Sequence, residues 1–390
     1  MDIKYFDHAA TTKVKKEVLE EMMPYLQDEY GNPSSLYSIG RSARKKVEEA
    51  RKKVAKLINA KPDEIYFTSC GSESDNTAIK GIVYANRKKG NHIITSKIEH
   101  PAVLHTCNVL EKQGYKVTYL NVNKDGIVDI NELKRSININ TILITIMTAN
   151  NEIGTIQPIE EIARIAKMYN IFFHTDAVQA CGNIPIDVKN MGIDSLSLSG
   201  HKIYAPKGIG ALYVKKQIEF EKLIDGGHQE NNKRAGTENV AQIVGLGKAC
   251  EISLNNIINY QKHLKQLREH FLKRIKEEIP FIHINGTMNK RLPGNINIAF
   301  KFVKGESLLF HLDERGICAS SGSACSSGSN KPSHVLKAIG LDDDLANSSL
   351  RLTFGCENTL EDVDYLVDNL VEIVKEQRSK SKEYIEHAKN

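Results

Sequence analysis

Two charged side chains, Asp176 and Lys202, each follow a run of small and apolar residues. The segments are FFHTDAVQACGNIPID at 172–187 and DSLSLSGHKIYAPKGIGALYV at 194–214. If both runs are strands of one sheet, its carboxyl edge turns the carboxylate and the amine into one crevice. Alone, Asp176 reads as a strand-end cap and Lys202 as a solvated lysine. Together, with Ser199 and His201 beside the lysine, they are what pyridoxal phosphate requires. The amine forms a Schiff base, and the carboxylate keeps the pyridine nitrogen protonated so that the ring draws electrons.

Two further turns suit the phosphate of such a cofactor. In YFTSCGSESDNTAIKG, 66–81, a strand gives way to a helix beginning near Ser72. The N–H groups of Gly71 and Ser72 and the Ser72 hydroxyl would then face an anion. A serine at a helix start is usually only a cap, so this signal is weak by itself. NNKRAGTENV, 231–240, offers Thr237 in another glycine-punctuated turn. A thiol completes the set. Cys325 lies in GICASSGSACSSGS, 316–329, a run of small residues that builds neither a core nor a firm helix. Free cysteines are usually buried, so this placement suits a thiol that must be reached, whereas Cys318 reads as packed.

The elements that would position these groups alternate. Strand-like runs occur at 64–67, 92–95, 116–120, 141–147, 171–174, 194–198 and 210–214, with helical periodicity at 72–89, 100–113 and 158–168. That rhythm predicts an α/β fold with a large, mainly parallel sheet covered on both faces. Beyond about residue 260 the pattern changes. A charged helix at 261–278 leads to strands near 280–284 and 294–299, helices at 305–315 and 332–339, a strand at 349–353 and a helix from 359. The expected division is a large domain over 15–260 and a smaller α+β domain made of 1–14 and 261–390, with a polar tail that frays.

Composition bounds the alternatives. With 41% hydrophobic and 26% charged residues the chain is globular, and its net charge of +5 gathers into no basic tract, so no direct nucleic-acid binding is expected. The start MDIKYFDHAATT lacks the marks of a signal peptide, and no apolar run reaches membrane-spanning length, which makes a cytoplasmic location the default. Seven cysteines, at 70, 107, 181, 250, 318, 325 and 356, fit neither a disulfide scaffold nor a zinc pattern.

Ordered stretches across most of the chain resemble the cysteine desulfurases, in the branch of the nitrogen-fixation and iron–sulfur assembly enzymes. They are YFDHAATT at 5–12, GNPSS at 31–35, FTSCGSESDN at 67–76, EHPAV at 99–103 and NNEIGT at 150–155, then HTDAVQACG at 174–182, SGHKIYAPKGIG at 199–210, RAGTEN at 234–239, SSGSACSSG at 320–328 and LRLTFG at 350–355. The resemblance implies a fold-type I pyridoxal-phosphate homodimer acting on L-cysteine. Lys202 resembles the Schiff-base lysine, Asp176 the partner of the pyridine nitrogen, and His100 the imidazole stacked on the ring. Asn151 and Gln179 resemble the pair at the ring hydroxyl. Gly71, Ser72, Ser199 and His201 would hold the phosphate, with Thr237 reaching from the other subunit. Arg351, assisted by Asn32, would clamp the substrate carboxylate, and Cys325 would take the sulfur as a persulfide. The polar stretch from 321 to about 333 resembles the flexible catalytic loop of the branch and implies delivery to an iron–sulfur scaffold protein. No permanent metal site is assigned; Cys325 is left able to contribute transiently to a cluster on such a partner.

The sequence departs from the family pattern at Cys70 and Ser72 in the phosphate turn, at His8, and at Cys356, where arginine is common. None removes a role the chemistry needs. Competing readings are a selenocysteine lyase or aminotransferase of the same fold type, sulfur donation to tRNA thiolation, and an inactive sulfur carrier. Cys325 argues against transamination, and Lys202 against an inactive fold.

Overall fold

The computed structural model describes residues 3–321 and 332–387. Cys325 and most of the polar stretch around it lie outside the described residues. The central sheet has seven strands in the order Ile65–Thr68, Gly210–Val214, Ser195–Ser199, Phe172–Asp176, Thr141–Thr145, His92–Ser96 and Lys116–Leu120. Gly210–Val214 runs against both its neighbours, and the remaining pairs are parallel. Each strand falls within a few residues of its expected place.

The sheet is buried on both faces because successive side chains alternate between two cores. Ile93 and Leu143 pack with Ile79, Val83 and Val103 on one face. Their neighbours Ile94 and Ile144 join Val54, Ile162 and Leu246 on the other. With both faces closed, the open ground for polar chemistry is the edge where Thr68, Asp176 and Ser199 end their strands.

A second, antiparallel sheet orders Ser320–Ser321, Ser349–Thr353, Asn295–Phe300 and Ile282–Ile284. Its core includes Phe271, Ile298, Leu352, Leu366 and Leu370. The N-terminal segment joins this sheet region: Lys4–Tyr5 pairs in parallel with Ile317–Cys318, and Asp7 bridges Thr353.

Two expectations fail. The helix expected from 261 begins at Val240 and runs for 39 residues to Glu278, crossing position 260 without a break. From Lys248 onward it contains neither glycine nor proline, so nothing stops it. Its first half, with Leu246 and Cys250, belongs to the large core, and its second, with Leu264 and Phe271, to the small one. The tail does not fray before His387. Helices Leu360–Lys380 and Lys382–His387 continue it, Arg378 donates to the Lys301 and Phe281 carbonyls at 3.1 and 3.2 Å, and Tyr384 and His387 stack against Phe281 and Phe302.

Candidate active site

Asp176 is the last residue of its strand and is 5% exposed. Its Oδ1 accepts from the Val178 amide at 2.9 Å, which turns the carboxylate out of the sheet and over the edge. Burial raises its pKa, and the nearby His100 and Lys202 oppose that rise. An isolated buried carboxylate would be costly, so a site of this kind favours a cation arriving beside it.

His100 caps the Pro101–Lys112 helix by accepting the Ala102 amide on Nδ1 at 3.1 Å. The helix-start reading and the site reading are therefore both true of it. With Nδ1 an acceptor, the neutral ring carries its proton on Nε2. Burial holds it neutral by pushing its pKa down, with Lys202 acting in the same sense and Asp176 against.

Lys202 ends a single 3₁₀ turn, Gly200–Lys202, directly after the Ser195–Ser199 strand. Its Nζ donates to the Ala9 carbonyl and, at 2.7 Å, to the Ala10 carbonyl. Gln179 Nε2 reaches the same Ala9 carbonyl at 3.1 Å. The N-terminal HAATT segment is therefore a wall of the site, holding an amine and an amide from the turns that follow two different strands.

The two turns expected to suit a phosphate lie together. Gly71 opens the Gly71–Ala85 helix, and a Cβ there would stand 2.7 Å from Val178 Cγ2 and 3.4 Å from Ser199 Cβ. The helix N-terminus thus approaches the Asp176 and Lys202 strand ends as closely as its backbone allows. Cys70, the departure at this turn, caps the helix by accepting the Glu73 amide on Sγ at 3.4 Å. Glu73 in turn pairs with Arg234 at 2.9 Å, tying the 231–240 turn to this helix. Ser72 and Thr237 are exposed, and His201, on the other side, meets Thr11 Oγ1 at 3.2 Å. Burial and the nearby Lys202 and Lys207 push His201 down to about 4, so it meets an anion as a neutral donor.

Arg351 lies 2% exposed in the Ser349–Thr353 strand. Nη2 donates to Asp7 Oδ1 at 2.8 Å and Nη1 to the Asn151 carbonyl at 3.3 Å, while buried Nε has no partner among the described residues. Asn151 is thereby brought to the site through its backbone. Asn32 is exposed in a turn where its Oδ1 accepts the Ser34 amide at 2.9 Å. In the single chain, Asn32 and Thr237 stand at the surface.

Several neighbours escape a reading by motif. Asp7 sits inside YFDHAATT, but its partner Arg351 is 344 positions away. His174 was within reach: two residues before Asp176, it shares that face of the strand by simple alternation. It bonds Thr145 Oγ1 at 2.8 Å and Ser197 Oγ at 3.0 Å, with Asp75 Oδ1 at 3.7 Å. The departures at His8 and Cys356 prove to be neighbours. The His8 ring covers Gly355 and lies 6.2 Å from the Tyr204 ring, and Tyr204 Oη accepts the Cys356 amide at 2.9 Å. Burial pushes the Cys356 thiol up to about 11, which keeps it a thiol.

This donor set fits pyridoxal phosphate. A buried carboxylate suits a ring cation, a lysine and a histidine converge on it, a glycine-started helix faces the same edge, and a guanidinium N–H without a partner among the described residues suits an acid group. Comparison with known proteins agrees. Residues 4–366 match the family model for class-V aminotransferases. The chain is 53% identical over 388 residues to the cysteine desulfurase IscS of Clostridium botulinum, covering 99% of this chain and 98% of that one. It is 54% identical over 377 residues to the IscS of Methanosarcina thermophila, covering 97% and 93%. Among solved structures it superposes on a NifS-like protein with a TM-score of 0.90 at 38% identity, covering 96% of this chain and 99% of that one. SspA in complex with cysteine matches at 0.81 and 41%, covering 91% and 100%.

Proposed function

The chain belongs to the cysteine desulfurases of the class-V aminotransferase family, and we propose from that premise that it converts L-cysteine to L-alanine and carries the sulfur as a persulfide on Cys325. The observation that carries this reading is the convergence of Asp176, His100 and Lys202 at one sheet edge, each within electrostatic reach of the others.

Pyridoxal phosphate, when bound, supplies an electron sink that acidifies the substrate Cα–H. Asp176 would balance the ring nitrogen's charge, Gly71, Ser72, Ser199 and His201 would hold the phosphate with Thr237 reaching from the other subunit, and Asn151 and Gln179 would flank the ring hydroxyl. Arg351 takes the substrate carboxylate, assisted by Asn32. Lys202 would hold the cofactor, and its Nζ would take the proton from Cα. His100 gives or takes a proton at Nε2, the nitrogen not committed to Ala102. The Cys325 thiolate attacks the substrate sulfur. As the new S–S bond forms, the Cβ–S bond breaks, its electron pair stays with the carbon fragment, and protonation of that fragment completes alanine.

A homodimer is part of the reading. Leu26, Tyr30, Leu36 and Tyr37, close to Asn32, are 57%, 75%, 87% and 58% exposed, an apolar surface that a second copy would cover. The proposed acceptor is an iron–sulfur scaffold protein in the cytoplasm; no described helix is long and apolar enough to cross a membrane.

The experiment is product analysis with L-cysteine and a reductant. Alanine and sulfide in equal amounts support desulfuration, whereas a keto acid with sulfur retained indicates transamination. Lys202→Ala is expected to bind the cofactor without a covalent link, so that it washes out, and to form no alanine.

A further inference from the structure

Arg351 acts on two buried acids, one that it pairs with and one that it only attracts. Asp7 balances its charge directly at 2.8 Å. The other is Glu152, 7% exposed, next to the Asn151 carbonyl that accepts from Arg351. The Glu152 backbone carbonyl accepts from Nδ2 of Asn295 and of Asn297, both at 3.2 Å, and Oε2 accepts from Ser333 Oγ.

Among the described residues, the surroundings of Glu152 hold little charge. Asn295 and Asn297 reach it from one strand, and Ser333 from the cap of the His334–Ala338 helix. His334 turns away to the Glu99 carbonyl at 3.0 Å, and Arg291 reaches Asn295 Oδ1 at 3.5 Å. Among the described residues Arg351 is the cation that acts on it, with Asp7 on that cation as well. A substrate carboxylate docking there would therefore set one guanidinium against three acids. Buried like charges of that kind are too costly to keep.

We propose that Glu152 is a positioning residue of the carboxylate clamp, taking up one proton when a substrate carboxylate docks on Arg351. The inference rests on the reading of Arg351 as that clamp. In the free protein burial pushes the Glu152 carboxyl up to about 7, against the Ser333 hydrogen bond and the Arg351 charge. An anion on Arg351 cancels that charge and raises the carboxyl further. At low pH Glu152 already holds its proton and costs the substrate nothing. As pH rises past 7 the proton must come from solvent, and carboxylate affinity falls by up to about tenfold per pH unit.

The test follows the holoenzyme and its Glu152→Gln variant, which keeps an acceptor for Ser333 but cannot ionise. The ratio of wild-type to variant KM for L-cysteine cancels the substrate's own titrations. It is expected to rise roughly tenfold between about pH 6 and 8.5, with kcat parallel in the two proteins. The Ki of propionate, a carboxylate with neither amine nor thiol, should rise likewise in the wild type and stay within about twofold in the variant. Flat ratios would overturn the inference. Arg351→Gln separates the two failures. If it raises KM strongly while the ratios stay flat, the clamp stands and Glu152 is only structural. If it leaves KM unchanged, the clamp itself falls and the inference with it.

Discussion

Asp7 Oδ1 accepts a hydrogen bond from Arg351 Nη2 at 2.8 Å, joining the N-terminal segment to a buried strand near the other end of the chain. The same carboxylate accepts from Ser320 Oγ through Oδ2 at 2.6 Å. One acid therefore fixes both the guanidinium proposed to hold the substrate and the strand that leads toward Cys325.

Removing that acid leaves a buried cation without its counter-charge. Asp7→Ala is expected to lose about 3–5 kcal/mol of stability, and Asp7→Asn, which keeps an acceptor, to lose less. Urea unfolding of the small-domain transition measures the difference. An unchanged midpoint in Asp7→Ala would mean that the pair holds nothing.

The layer beneath Asp176 makes stability fall in acid. Burial pushes His174 from its ordinary 6.5 down to about 3, so the unfolded chain binds its proton more readily than the native one. The stabilising contribution is present above about 6.5 and is lost as pH falls toward 3, at about 1.4 kcal/mol per pH unit for this one group. His174→Gln should remove one proton from the acid-side slope. The slope of unfolding free energy against pH tests this, and an identical slope would contradict it.

The departure at His8 carries a cost that a double substitution exposes. A Cβ at Gly355 would stand 2.0 Å from His8 Nε2, and His8 is held by Thr353 and Glu357 at 3.0 and 3.5 Å. Gly355→Ala is expected to destabilise by about 1–3 kcal/mol, and His8→Ala in the same chain to relieve much of it. Thermal unfolding of both single variants and the pair shows whether the effects fail to add. Simple additivity would show that the ring is free to move.

Chemistry was more legible in the sequence than connectivity. Asp176, Lys202 and Gly71 announced themselves because each ends or follows a strand whose apolar run is short and cleanly bounded. The strands themselves were legible because both faces are buried. Asp7 and Arg351 were not a legible pair, since no local rule joins residues 344 apart. The helix over Val240–Glu278 was read short because its first half carries an apolar stretch and its second a charged one, a change of packing partner rather than of structure. The tail looked disordered because its polar residues outnumber the Arg378, Tyr384 and His387 that anchor it.

The central claim is that sulfur from L-cysteine comes to rest on Cys325. The measurement is mass spectrometry of the thiol peptides after one turnover of the cofactor-loaded protein without reductant. One added sulfur atom on the Cys325 peptide is predicted, with Cys70 and Cys356 unmodified and no alanine formed by Cys325→Ala. Sulfur found on another cysteine, or alanine formed equally well without Cys325, would contradict the account.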